Sequence, residues 1–323
     1  MKMITKNHIA IVCPTKDRPD RVLQLIKSIA DQTEIPAQVI VTDSGKGNEQ
    51  INEIYGDKIN ILHLQSPTNG QVLQRNYAYA YIEEYIKIVI NLDDHIILRP
   101  ETIEQFIKFW NKENSKLQRP LAGISFNFVD RPRLKNSWMR RLFFLSTQPP
   151  GSVSKGGYAA PFVPADTDIA SSWLFGGATA WSKEVLLKHR HPISFPTRWA
   201  VCEDLIYSYP LHFKFRLLVA KDVVCTSSQN YASMSFRQGI FYGVSSAIMR
   251  YHFIRQHAEM KTWAWLWMTI GVVLGNLAKG MLGSPRHLGL FAGGVEGIAR
   301  ACLCSLRGGD SEDLARQLAM RRS

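Results

Sequence analysis

Two adjacent carboxylates, Asp93 and Asp94, close the apolar run Ile88-Val89-Ile90-Asn91-Leu92. An apolar run halted by polar turn residues reads as a buried strand, and open α/β sheets hold their ligands at the carboxyl ends of strands. Two acids there suit a hard cation such as Mg²⁺ or Mn²⁺, which takes a few carboxylate oxygens from protein and completes its shell with substrate phosphates. The same pair would also serve to start a turn or to cap the helix read from Glu101 to Asn111. A second acid pair, Glu203-Asp204, precedes a short helical stretch, Leu205 to Leu211. In a transfer to a hydroxyl, one carboxylate must take the acceptor's proton and must not be consumed by the metal, and two spatially separate acid pairs fit that division. A helix N-terminus favours such a dipeptide for dipole reasons alone.

The elements that position these acids follow from local pattern. Ile9 to Cys13 is apolar and β-branched, stops at Pro14-Thr15, and leads to Val22, Leu25, Ile26 and Ile29 at helical spacing. Gln38 to Thr42 predicts a second strand, halted by Asp43-Ser44-Gly45-Lys46-Gly47, and Ile59 to Leu64 a third. A helix from about Gln71 to Tyr85 then precedes the strand ending in Asp93-Asp94. Strands alternating with helices predict βαβ units and a mainly parallel sheet, which brings Thr15, Asp43 and Asp93-Asp94 to one rim. Arg75, on the helix before the fourth strand, either neutralises diphosphate charge through its planar fork or pairs with a surface acid such as Glu83 or Glu84. No P-loop or G-x-G-x-x-G spacing occurs, so nucleotide binding must use other groups.

The second half is less regular. Leu121 to Val129 and Phe213 to Val219 predict strands, and Ser182 to Lys188 a short helix after Gly176-Gly177. Between them, Asp130 to about Phe162 mixes Arg131, Arg133, Lys135, Arg140 and Arg141 with Trp138 and turn-formers. A loop of that length is either functional or a solvated basic surface.

The 323 residues are enough for a real core, and a formal net charge of +12 favours anionic partners: nucleotides, nucleic acid or acidic headgroups. No nucleic-acid motif accompanies that charge, which argues against nucleic acid. From Tyr231 onward there are 11 Lys/Arg against 5 Asp/Glu. Five scattered cysteines lack zinc spacing and imply a reducing compartment, and the N-terminus has no apolar segment of export-signal type.

Six motifs in order are similar to family 2 glycosyltransferases of GT-A fold, over about residues 8 to 225. IVCPTKDR resembles the family's strand followed by P-T-x-N/D-R, VIVTDSG its V-I-V-V-D-D-G-S, and LQRN its A-x-R-N. NLDDH stands for L-D-D-D, FGGATAWSKEVL for G-G-x-x-x-F-R-R-E-V-F, and CEDLIYSYPL for E-D-x-D-L-x-x-R. The resemblance implies an α/β GT-A fold and inverting transfer of a sugar from a nucleoside-diphosphate sugar to a glycan or lipid-linked acceptor. It assigns donor binding to Pro14, Thr15, Arg18, Asp43, Arg75 and Asp93. It assigns Mn²⁺ or Mg²⁺ to Asp94, assisted by Asp93, and proton removal to Asp204, with Glu203 beside it. His95 stands where the family has its third Asp; it either adds an imidazole ligand, which favours Mn²⁺, or faces away. Pro210 stands where the family has its Arg.

Beyond the resemblance, Trp263 to Leu282 and Leu288 to Leu306 are apolar stretches each about long enough to span a bilayer. Three Trp at one end, with Arg286-His287 between the stretches, suit an anionic membrane surface; interfacial helices, a spanning hairpin, and helices buried in the fold or in a homo-oligomer are the three readings. The expected organisation is a nucleotide-sugar-binding half (1–98), an acceptor half (99–225) and a helical, membrane-associating region (226–323), peripheral on the cytosolic face. Two other functions compete. A nucleotidyltransferase would need a G-x-G-T-R-like loop that Pro14-Thr15-Lys16-Asp17-Arg18 does not supply, and a catalytically impaired partner of another transferase is opposed by the intact acid pairs.

Overall fold

The computed structural model describes residues 3–45, 50–191, 201–228 and 234–320. Its chain divides into two compact units: Met1–Arg133, Phe162–Ile193 and Glu203–Gln229 form the first, and Leu134–Pro161, Ser194–Cys202 and Asn230–Ser323 the second. Lys46 and Gly47, read as part of a turn after the second strand, lie outside the described residues.

The first unit is a mixed α/β sheet with helices. β1 (Ile9–Thr15) is followed by α1 (Pro19–Ala30), β2 (Gln38–Asp43), α2 (Gln50–Tyr55), β3 (Ile61–Gln65), α3 (Gln71–Ala78) and β4 (Ile88–Leu92). α1 begins on Pro19, whose missing N–H costs nothing in a first turn, and buries Val22, Leu25, Ile26 and Ile29. The expected long helix after Gln71 stops at Ala78 and tightens into a 3-10 turn, Tyr79–Tyr81. β3, β2, β1 and β4 lie side by side and parallel. The register pairs Thr15 with Asp43 and Val12 with Asn91, so the carboxyl ends of three strands share one rim.

Beyond β4 the sheet changes direction. After β5 (Ile96–Leu98), α4 (Thr102–Asn114), β6 (Leu121–Phe128) and, in the other unit, α5 (Trp138–Leu142), the chain adds β7 (Ile169–Ala170), β8 (Ala178–Ser182), α6 (Lys183–Lys188), α7 (Glu203–Ser208) and β9 (Arg216–Ser227). The order is β3-β2-β1-β4-β8-β6-β9-β5, with β7 also on β9. β8 runs antiparallel to both β4 and β6, so parallel pairing dominates only the first half. An antiparallel neighbour needs no crossover helix, which is why this half lacks the alternation that marks the first. Ala10, Val12, Ile40, Val89, Leu174 and Trp181 belong to one buried cluster beneath the rim.

The second unit contains α5, α8 (Phe236–Arg255), α9 (Thr262–Met281), α10 (Pro285–Leu306) and α11 (Ser311–Met320). α8 starts with a capping box: Gln238 N donates to Ser235 Oγ at 3.3 Å and Ser235 N to Gln238 Oε1 at 2.8 Å. α8 and α10 approach through glycines, and a Cβ on Gly243 would stand 2.7 Å from Leu290 O and 2.8 Å from Gly294 N. Among the described residues one helix, Pro285–Leu306, is long and apolar enough to cross a membrane by length and composition; α9, diluted by Trp and Gly, is not. The two glycine environments give opposite expectations. Gly243→Ala should destabilise by about 1–3 kcal/mol through overpacking. Gly275→Ala, which meets nothing within 4 Å, should stabilise by up to about 1 kcal/mol by removing a helix-interior glycine. Urea denaturation of the two variants measures both signs.

Candidate active site

α3 supplies the key side chains because Gln71, Gln74 and Arg75 stand at i, i+3 and i+4, on one helix face. Gln74 is buried and its Nε2 donates to Thr15 O at 2.6 Å and Thr42 O at 2.9 Å, tying the ends of β1 and β2 to the helix. Arg75 is completely excluded from water. Its Nη2 donates to Asp93 Oδ1 at 2.7 Å and to Gly176 O at 2.9 Å, and its Nη1 to Glu203 Oε1 at 3.1 Å. The sequence reading put Arg75 at a donor diphosphate or against a surface acid such as Glu83 or Glu84; its ion-pair partners are Asp93 and Glu203, not Glu83 or Glu84. The two acid pairs, read as separate, therefore meet on one guanidinium.

The approach requires glycine at the start of β8. A Cβ on Gly176 would stand 2.6 Å from Glu203 Oε1, and one on Gly177 2.7 Å from Asp93 Oδ2. Gln71 Nε2 closes the other side of Asp93 by donating to Oδ1. Backbone pairing fixes the level, with Asp93 N donating to Gly177 O at 2.9 Å.

Asp94 faces a different set of partners. Thr15 Oγ1 donates to its Oδ2 at 2.9 Å, Arg18 Nη1 to its Oδ1 at 3.2 Å, and His95 Nδ1 lies 3.5 Å from Oδ1. Burial pushes this carboxyl up, but His95, Arg18 and Thr15 outweigh it and hold Asp94 below the ordinary Asp value, so it is anionic at neutral pH. Arg18 reaches it from a loop in which Asp17 takes a left-handed φ of 52°. Asp and Asn tolerate that conformation best among residues with a Cβ, a physical reason for the N/D of the P-T-x-N/D-R motif. Pro14 is buried in β1 beside Thr42, and Asp43, buried at the end of β2, accepts from Gly45 N at 2.7 Å.

Glu203 and Asp204 open α7 but differ in state. Burial raises Glu203, yet Arg75 and then His191 outweigh it and keep it below the ordinary Glu value. Asp204 is pushed up to about 7, first by burial and then by the Glu203 charge; N–H groups of Leu205 and Gly176 draw it back only in part. One acid of the pair is thus a fixed anion and its neighbour a carboxyl that titrates near neutrality. His191, which no sequence motif singled out, lies 3.4 Å from Glu203 Oε2 and stacks on Tyr207 at 3.8 Å. Its carbonyl accepts from Asn76, the last residue of LQRN, at 3.1 Å. Tyr207 is a core residue set edge-on to Trp181 at 5.0 Å. Gln71 and Gln74 were readable from their spacing with Arg75; nothing local marks His191.

Among the described residues no group of three or more His, Cys, Asp or Glu is placed to hold a metal ion. Asp93 is turned to Arg75 and Gln71, which leaves Asp94, with His95 beside it, facing Arg18. One or two protein ligands are what Mg²⁺ and Mn²⁺ ordinarily take when substrate phosphates and water complete the shell. The anionic Asp94 fits that role if Arg18, whose side chain is 49% exposed, moves aside.

Residues 10–159 match the sequence profile described as Glycosyl transferase family 2. Over that span, 150 of the 323 residues, the chain is similar to family 2 glycosyltransferases. No curated protein sequence matches the chain. Among solved structures it is similar to the mannosyltransferase PcManGT from Pyrobaculum calidifontis in complex with GDP-Man and Mn²⁺, at 12% identity and a TM-score of 0.52, over 93% of this chain and 87% of that one. It is also similar to S. aureus TarS 1–349, at 13% identity and a TM-score of 0.48, over 93% and 91%. A longer S. aureus TarS structure matches at 14% identity and a TM-score of 0.48 over 84% of this chain, which spans 49% of its length. At these identities the likeness to PcManGT concerns the GT-A fold.

Two outcomes follow from the electrostatics of this site. Removing one partner of a buried ion-pair network leaves the others uncompensated, so Arg75→Met should destabilise the protein by about 3–5 kcal/mol in urea denaturation. For Asp204 the folded value of about 7 lies above the unfolded Asp value of about 3.9. The folded state therefore holds the extra proton between these values, and Asp204 removes stability as pH rises through that window. Asp204→Asn should gain stability relative to wild type between pH 5 and pH 8, with no such gain below about pH 4.

Proposed function

We propose that this chain moves a sugar from a nucleoside-diphosphate sugar to a hydroxyl of a glycan or lipid-linked acceptor, with inversion at the anomeric carbon. The observation that carries the reading is the split acid pair: Asp204 poised near pH 7 beside an anionic Glu203 locked to Arg75. Support for a nucleotide-sugar donor comes from the family 2 domain and from the fold's likeness to a mannosyltransferase that holds GDP-Man and Mn²⁺.

Thr15 and Asp43, at the ends of adjacent strands, would hold the nucleoside, with Pro14 shaping the rim and Arg18 close to the diphosphate. Asp94, with His95 alongside, would hold a divalent cation, Mn²⁺ or Mg²⁺. When bound there, such an ion neutralises charge on the departing nucleoside diphosphate. Asp204 accepts the proton of the acceptor hydroxyl as its oxygen attacks the anomeric carbon and the bond to the diphosphate breaks. Glu203 keeps Asp204 basic, and Arg75 keeps Glu203 and Asp93 in place. The acceptor and the enzyme would meet at an anionic membrane surface on its cytosolic side, in the synthesis of an envelope glycan, polysaccharide or glycolipid.

The decisive experiment is turnover of a panel of nucleotide sugars with and without Mn²⁺. Asp204→Asn should lower kcat by about 10²-fold or more with donor KM near wild type, and should remove the acid limb of the pH profile. Loss of donor binding together with turnover would place Asp204 on the nucleotide or in the fold. Asp94→Ala should abolish cation-stimulated turnover while the far-ultraviolet circular dichroism stays unchanged; full wild-type activity in excess chelator would remove the cation from the mechanism.

A further inference from the structure

We propose that α5 and the N-terminal half of α9 form one face that docks on an anionic lipid bilayer at headgroup depth. This names the docking element for the membrane-surface part of the function proposed above, on which it rests.

α5 exposes most of its apolar surface: Trp138 is 73% accessible, Met139 54% and Leu142 50%. A five-residue helix in a soluble setting gains nothing from presenting such side chains to water, and a contiguous exposed apolar patch marks an interaction site. The patch continues onto α9. Trp267 Nε1 donates to Leu142 O at 2.8 Å, Phe143 stacks on Trp267 at 4.9 Å, and Phe144 meets Trp263 edge-on at 5.7 Å. Trp263 and Trp267, one turn apart, are 62% and 39% accessible. Between them, with Phe144, Leu266 and Ile270, lies an apolar groove of about 370 Å³. The three Trp of α9 divide by face: Trp265 is buried, donating to Ala247 O at 3.3 Å and packed on Tyr251.

Charge identifies the occupant. The segment Leu134–Pro161 holds Lys135, Arg140, Arg141 and Lys155 and no acidic residue; Lys261–Leu282 adds Lys261 and Lys279, again without an acid. Arg140 is held by Tyr158 at 2.7 Å, whereas Lys135, Arg141, Lys155 and Lys261 are exposed. Lys155 and Lys261 are neighbours, since Lys261 N donates to Lys155 O at 3.0 Å. A rim of exposed cations, none of them in an ion pair among the described residues, around exposed indoles matches a surface of anionic headgroups over acyl chains, where Trp rests at the interface and each basic residue adds attraction. A second copy docked through the same face would set these like charges against each other.

The test uses the full chain in co-sedimentation with vesicles of phosphatidylcholine alone or enriched in phosphatidylglycerol, at low and high salt. Wild type should prefer anionic vesicles and lose binding as salt rises. Trp138→Glu with Leu142→Glu should lower partition by about tenfold or more, and Lys135→Glu with Arg141→Glu should remove the anionic preference. Leu303→Glu with Leu306→Glu, on the exposed apolar surface of α10, should bind as wild type. Donor hydrolysis in free solution should be unchanged in all three variants, which verifies their fold. Wild-type binding by the α5 variants, or loss in the α10 variant, overturns the face assigned here while membrane association stands. A wild-type chain that ignores anionic vesicles overturns both. A dimer that Trp138→Glu dissociates, without vesicle binding, makes the face a contact between copies and equally overturns the proposal.

Discussion

A single guanidinium with no access to water organises the α/β unit. Burying a cation costs several kcal/mol even after relaxation, and only near-ideal partners offset it. Arg75 has three: the carboxylates of Asp93 and Glu203 and the carbonyl of Gly176. These come from β4, α7 and the segment entering β8, so the ion network is also the joint between the parallel and antiparallel halves of the sheet. Gly176 and Gly177 are required because any side chain would occupy the space of the acids.

The same network explains how two adjacent carboxylates come to differ. Glu203 pairs with Arg75, with His191 close by, and remains charged; Asp204, next in sequence, lacks such a pairing and feels both burial and its neighbour's charge. Environment, not residue type, makes one a fixed anion and lets the other titrate near neutrality. Across the rim, Asp94 is kept anionic by Thr15, Arg18 and His95, a set that shares no member with the Arg75 network. The rim therefore keeps the carboxylate proposed to hold a cation apart from the one proposed to accept a proton, although both belong to acid pairs.

The helical unit follows a different rule. α8 and α10 pack through glycines at backbone distance, which leaves the larger apolar side chains of α10 to turn elsewhere. α9 divides its tryptophans between an internal contact at Trp265 and an exposed face at Trp263 and Trp267. The irregular basic stretch after Asp130 resolves into a short helix whose exposed side chains extend that face.

The sequence by itself determined what is local. Strand positions, the rim formed by Thr15, Asp43 and Asp93-Asp94, the amphipathic α1 and the two acid pairs are legible because hydrophobic period and turn residues act over a few positions. Helix ends were less so: the helix after Gln71 breaks into a 3-10 turn where Tyr79 bonds Asn91 on β4, a tertiary contact. Only the tertiary structure decided that Arg75 joins Asp93 to Glu203, which is 128 residues away. It likewise decided that β8 enters antiparallel, that His191 approaches Glu203, and that Phe143 and Phe144, just after α5, pack on Trp267 and Trp263 of α9. Each of these is a long-range pairing chosen by desolvation and packing across the whole unit, and no window of sequence contains both partners.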